Sequence, residues 1–485
     1  MVSTCQGPGV KRDESSSARR SYLRAVGAAA VAATLAGCGE WGRDPDPTET
    51  TRRETETPTT DATTPDTTEA RETTESEDDI DPETTDRFEN VVNVADAGAD
   101  TSGGDPVNAV LDEHLADNTL FYFPEGRYRL RGWRVVDYRN VGVVGDDAVL
   151  VPPDGKQDYW LMWDELRDLV FTGFTLDCTA QETAPVNYIT VTGGDNVVRD
   201  VALRGHRQVP RGGFEIAVAD PDSRLLFENV RLPDGSTAGN AIYTFPKSVG
   251  TLVVRDCRVE HWAEGLYASP HSGPLEVVGG YYANCGIDQV RVGGGPSGAV
   301  VRGVTVRVDD PRQPDSKPNM RGIWMEEGAS VRIRNCDVAI TDLTGTYSSG
   351  AIVVGQQFGS ATVENTRVRT DASARAIHVR KPVDSIEGQT MPSMNSLPEN
   401  WGVTCRNVRI EGSASSGAAI RASGRDNCTF ENICIRHASG SRDGVFVTDA
   451  EGCAVRDSLI AVSGRTITTR DANVRTNGNR RNGSC

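Results

Sequence analysis

The chain has 485 residues, a formal net charge of −18 and a pI near 4.9, so its surface repels rather than attracts nucleic-acid phosphates. Length alone leaves room for one long all-β domain or several ordinary ones, and repeats must decide. Lysine occurs only at Lys11, Lys156, Lys247, Lys317 and Lys381, and arginine makes up the rest of the 51 basic residues.

An acidic chain with arginine in place of lysine is similar to the salt-adapted proteins of haloarchaea. Residues 1–38 form an address: Arg19-Arg20, Leu23-Arg24, an alanine-rich run and Leu35-Ala36-Gly37-Cys38 resemble a twin-arginine export signal ending in a lipobox. Ala25 to Gly37 is 13 residues, short of the roughly 20 that a helix needs to cross a bilayer. Cleavage with lipidation of Cys38 is therefore expected, with the chain at the outer face of the membrane or secreted. Residues 39–88 are threonine, glutamate, aspartate and proline with few apolar residues, as in "TETPTTDATTPDTTEA". Such a segment has too little apolar surface to fold and is expected to be a solvated stalk.

Residues 89–485 carry a repeat. The stretch "VRIRNCDVAI" at Asn335 places buried residues at −4, −2, +1 and +3 around a small polar residue at 0. The unit recurs at Gly173, Asp200, Asn229, Asp256, Gly280, Gly303, Asn365, Asn407, Asn432 and Asp457, mostly 23–32 residues apart. A third short strand follows each unit, such as "GLYA", "QVRV", "GIWM" and "AIHV". Three strands per repeat with Asn, Asp and Gly at the turns predict an all-β parallel β-helix of about 10–12 coils, stacked about 4.8 Å apart. The Asn/Asp column at position 0 is expected to form an inward polar ladder at the bend. A β-sandwich would need antiparallel hairpins with tight turns instead.

The segment 91–130 adds a resemblance. Gly98-Ala99-Asp100, a helical stretch near 106–116 and Phe123-Pro124-Glu125-Gly126-Arg127-Tyr128 are similar to the opening of the pectate-lyase/polygalacturonase superfamily of right-handed parallel β-helices. The resemblance implies a right-handed coil with an N-terminal capping helix. It does not fix a reaction. The polygalacturonase signatures are missing: Gly205-His206-Arg207 is a poor Gly-His-Gly, and Arg332-Ile333-Arg334 is ordinary repeat sequence.

In each third strand the residue between two buried ones faces outward. That column reads Thr190, Ala217, Tyr243, Tyr267, Arg291, Trp324, Val353, His378, Arg421 and Phe446. Tyr243, Tyr267, Trp324, His378 and Arg421 are the expected glycan-binding residues, because flat rings stack on sugars and guanidinium groups pair with uronate carboxylates. The alternative is that such aromatics only stabilise their cross-strand neighbours. Insertions at 309–320 and 381–401 could wall the column. Glu264 and Asp288 fall on consecutive coils, roughly 5 Å apart by strand spacing, and Glu326 shares the face of Trp324. With Arg291 between them these are the candidate catalytic groups, for hydrolysis by paired carboxylates or for a calcium-assisted elimination. Cys428 and Cys453 occupy one column in adjacent coils and are expected to form a disulfide; Cys257 and Cys336 should be buried thiols. No Cys/His spacing suggests zinc. The reading is a monomeric exported β-helix that binds or cleaves an acidic polysaccharide, against a non-catalytic adhesive or structural solenoid.

Overall fold

Alternating apolar residues with a left-handed turn residue between them build a coil in which every turn repeats the last. The computed structural model describes residues 85–311 and 319–485 of the chain, and there the repeat becomes an all-β parallel β-helix from Asn90 to Asn477. The expected export signal (1–38), its Cys38 and all but the last few residues of the stalk (39–88) lie outside the described residues. Among the described residues, no helix is long and apolar enough to cross a membrane.

Three ladders run the length of the coil. The first passes through Val254, Val277, Val301, Ile333, Val363, Cys405, Phe430 and Val455, each beside its equivalent in the next turn. The second holds Val306, Val338, Val368, Ile410, Ile435 and Ile460 in the same way. The third, described below, carries the outward column. These pairings are parallel, as stacked coils require and a sandwich forbids. Their inward residues form one continuous apolar interior from Val94 to Ile460. The only α-helix among the described residues, Asn108–His114, lies within the span expected for the cap and places Leu111 fully inside that interior. Asn108 fixes it by donating from Nδ2 to the carbonyl of Gly132 at 2.8 Å.

Position 0 of the repeat differs from expectation. Asp200, Asn229, Asp256, Asn335, Asn365, Asn407, Asn432 and Asp457 all have φ between 49° and 55°, the left-handed region that Asn and Asp tolerate best among side-chain-bearing residues. One residue in that conformation absorbs a step of the alternation. The −2 and +1 residues then both point inward, and the polar side chain points out. The ladder is therefore external: Asn432 donates from Nδ2 to Asn407 Oδ1 at 2.6 Å, and Asn407 to Asn365 Oδ1 at 3.1 Å. In the fifth unit the register places Gly279, not Gly280, at position 0, with φ of 62°. A Cβ there would stand 1.9 Å from Asp256 Oδ1.

Cys257 and Cys336 are buried thiols, as expected. The expected Cys428–Cys453 disulfide is corrected. Both are free thiols, in adjacent coils, and the Sγ of each lies against the Arg425 carbonyl oxygen. The disulfide joins Cys434 to Cys485 instead, with Cα atoms 5.7 Å apart. Stacking does bring the two side chains into hydrogen-bond contact with each other, but as thiols, with no S–S bond between them. Peptide mapping of the unreduced protein should join the Cys434 and Cys485 peptides and leave Cys428 and Cys453 open to alkylation after unfolding. Recovery of a joined 428–453 peptide would refute this pairing.

Candidate functional site

Outward residues of the third ladder stand in a true column, because its strands pair residue on residue. Tyr188 pairs with Glu215, Glu215 with Tyr243, Tyr243 with Tyr267, Tyr267 with Arg291 and Arg291 with Trp324. The column continues through Val353, His378, Arg421 and Phe446. Its first two members are thus Tyr188 and Glu215 rather than Thr190 and Ala217. A slip of two residues keeps every side chain on its face, so alternation cannot detect it.

Trp324 does not face water: 7% of its surface is exposed. The Arg321 guanidinium carbon lies 4.3 Å from its ring centroid and that of Arg380 5.3 Å away. Gly355 approaches so closely that a Cβ there would be 3.0 Å from the ring. Tyr267 is covered likewise, with the Arg291 guanidinium 3.8 Å from its centroid, and its ring meets that of Tyr243 edge-on at 5.1 Å. Tyr243 and His378 are buried too.

All four candidate catalytic residues come together. Arg291 is their hub: Nη1 donates to both carboxylate oxygens of Glu264 at 3.2 Å, and Nε donates to Glu326 at 2.7 Å. Its Nη2 also pairs with Glu326, and Asp288 lies 4.0 Å from Nη1. Arg321, which the sequence did not single out, donates from Nη2 to Asp288 at 3.0 Å and from Nε to the other oxygen. Ser269 donates to Glu326. Two guanidinium groups thus face three carboxylates. Burial pushes Glu264 up to about 7, with the charges of Asp288 and Glu326 adding to the shift against the opposing pull of Arg291. Burial also raises Asp288, although Arg321 and Arg291 oppose it.

Both oxygens of Glu264 and both of Asp288 are engaged by guanidinium groups, so this donor set does not suit a calcium ion, which needs 6–8 oxygen ligands. Among the described residues no group of three or more His, Cys, Asp or Glu side chains is gathered for a metal.

The two ends of the column differ. Toward the N-terminus, Tyr159 donates from its hydroxyl to Glu215 at 3.0 Å, and Lys247 bridges the Tyr188 hydroxyl at 2.9 Å and Asp164 at 3.6 Å. Sequence reading missed this cluster; Tyr188 and Glu215 would have surfaced, had the register been known. Toward the C-terminus, His378 is held well below its usual range by burial and then by the charges of Arg375, Arg380 and Arg421. Arg421 Nε is buried without a hydrogen-bond partner, while the residue as a whole is half-exposed. His378 and Arg421 are two and three coils beyond Trp324, about 10 and 14 Å along the stack.

Of the two insertions, 309–320 is described only outside 312–318. The other, 381–401, is bolted down at both ends by Arg425. That buried guanidinium donates to the carbonyls of Arg380 at 2.8 Å and Trp401 at 3.1 Å, and to those of Gly355, Phe358 and Gly359. The insertion also brings Ser393 to Glu327, a buried carboxyl pushed up to about 9 by burial and then by the charge of Glu326.

No protein-family model and no curated protein matches the chain. Solved structures do. A surface adhesin of Streptococcus pneumoniae is 11% identical, with 80% of this chain and 92% of that one covered at a TM-score of 0.39. A mannuronan C-5 epimerase A-module of Azotobacter vinelandii is 14% identical, covering 80% and 99% at 0.35. A family 28 exopolygalacturonase of Yersinia enterocolitica is 10% identical, covering 81% and 78% at 0.25. At these identities and scores the likenesses carry no argument about site or reaction.

Two outcomes follow from burial. Trp324→Ala should destabilise the fold by about 3–5 kcal/mol, the cost of emptying a packed aromatic site, seen as a lower denaturation midpoint; an unchanged midpoint would return Trp324 to the surface. Glu327 has a folded pKa of about 9 against 4.5 when unfolded, so the native state holds its proton more tightly. Stability should therefore fall as pH rises through that window, and Glu327→Gln should flatten the slope in pH-dependent denaturation. An equally steep slope in the variant would contradict the assignment.

Proposed function

We propose that this chain is an exported cell-surface β-helix that binds an acidic, uronate-bearing polysaccharide along the C-terminal half of its third ladder. The observation that carries the reading is local charge reversal. In a chain of net charge −18, Arg375, Arg380 and Arg421 converge on His378, and their charges add to the burial that holds it well below its usual range. Arg421 is half-exposed as a residue, and its buried Nε has no hydrogen-bond partner. A run of cations with aromatic backing suits carboxylates spaced along a glycan. The export signal and Cys38 lipobox of the sequence support placement outside the cell.

Arg421→Ala should weaken binding of oligogalacturonate or oligomannuronate by about 10–100-fold, the equivalent of one charge-assisted contact of about 1.5–3 kcal/mol. Binding should fall with added salt and be absent for neutral glycans at this face. Equal affinity of wild type and variant, measured by calorimetry, would sink the proposal.

A second reading has its own support. Glu264 titrates near neutrality beside Arg291, which is where a general acid or base works best. Against it, Glu264 is 7% exposed and fully ion-paired. New reducing ends or ultraviolet-absorbing unsaturated products, lost in Glu264→Gln, would move the protein to the enzymes.

A further inference from the structure

The geometry points to a second carbohydrate site, away from the third ladder, in the cleft where the 381–401 insertion rejoins the coil. This cleft has a volume of about 750 Å³ and is bounded by Trp401, Asp384, Glu399, Asn400, Asp426 and Asn427. That is room for one or two sugar rings. It lies beside the first ladder, where 404–406 pairs with 429–431.

Trp401 is the platform. One side of its indole rests on the Arg425 guanidinium, 5.2 Å from the ring centroid. That guanidinium is fixed by five backbone carbonyls, one of them that of Trp401 itself. The ring is therefore held rigidly from below, while the residue stays half-exposed and lines the cleft. A fixed aromatic face with little entropy left to lose is what the apolar C–H face of a pyranose stacks on. Around it stand exposed Asp384, Glu399 and Asn400. Asp426 receives the Glu451 amide on one carboxylate oxygen at 2.7 Å, which orients the other. These groups accept and donate hydrogen bonds as sugar hydroxyls need.

Charge sets the ligand class. Three carboxylates border the cleft, and its one lining cation, Arg425, is 1% exposed and engaged by carbonyls. The exposed Lys381, whose side chain packs over Gly424 at the cleft wall, is outnumbered three to one, so a uronate would meet mainly like charge here. The site therefore takes pyranose units that carry no carboxylate, either uncharged or amine-bearing. This selectivity is opposite to that proposed for the arginine-rich ladder, and it stands or falls separately.

The test titrates the full chain with cellohexaose, maltohexaose, laminarihexaose, chitosan hexamer and hexagalacturonate, using wild type, Trp401→Ala, Trp401→Phe and Arg421→Ala. At least one of the first four should bind. That binding should fall at least about tenfold in Trp401→Ala, survive largely in Trp401→Phe, and be untouched in Arg421→Ala. Preference for chitosan over the three neutral hexamers would identify an amine-bearing unit, and the reverse an uncharged one. Trp401→Phe keeps a ring on Arg425, so its retention of binding guards against a folding defect in the alanine variant. Absence of binding to all four, or binding that Trp401→Ala leaves intact, overturns the site; loss of hexagalacturonate binding alone in Arg421→Ala would concern only the ladder.

Discussion

Residue-on-residue stacking of coils is the constraint from which the rest of the molecule follows. Every side chain in a parallel β-helix has its equivalents about 4.8 Å above and below, so no position can be chosen alone. Inside, this yields unbroken valine and isoleucine columns such as Val306 to Ile460. At the turn it yields an amide ladder, where Asn432 donates to Asn407 and Asn407 in turn to Asn365. On the third ladder it forces a harder solution, because Glu215, Arg291, His378 and Arg421 stand in one file with aromatic rings. Like charges stacked there would repel, and the rings and opposite charges between them relieve it.

The Arg291 cluster shows how far that solution goes. Burying a charge is costly unless it is paired and hydrogen-bonded. Arg291 reaches Glu264 on the preceding coil and Glu326 on the next, while Arg321 takes Asp288. The set ties three successive coils together on the outer face. Removing one member would leave its partners buried and unpaired, which costs more than the pair contributes. The same geometry that invites comparison with paired catalytic carboxylates therefore explains a structural clamp equally well. Reactivity would need Glu264 to exchange Arg291 for a substrate.

What could be read from the sequence was what depends on periodicity. Inward residues, the parallel stacking and the meeting of Glu264, Asp288, Arg291 and Glu326 all follow from counting along strands whose register is set by the repeat, whereas the capping helix was implied by the resemblance of 91–130. Thr190 and Ala217 were misplaced because a two-residue slip leaves alternation unchanged. Gly280 was misplaced because two adjacent glycines both accept φ > 0, and only pairing across the coil singles out Gly279. Outward was also taken to mean exposed. Trp324 shows the difference, since Arg321 and Arg380 close over it from positions the repeat does not specify. Arg425 was invisible for a related reason: its five acceptors are backbone carbonyls drawn from 355 to 401, which carry no side-chain signature.

The preference for arginine over lysine then has a local cause besides any adaptation to salt. A guanidinium is flat, carries five donors in a fixed fork and loses less on leaving water than an ammonium does. Arg291 uses all three nitrogens on two carboxylates while its plane covers Tyr267. Arg425 satisfies five carbonyls while supporting Trp401. A lysine at either place has a single nitrogen with three donors and no plane to stack. Arg207, Arg425 and Arg442 are even among the largest fully buried side chains, where a surface adaptation has no purchase. Salt tolerance could be met by acidic residues alone; arginines inside stacked columns answer instead to the geometry of the coil.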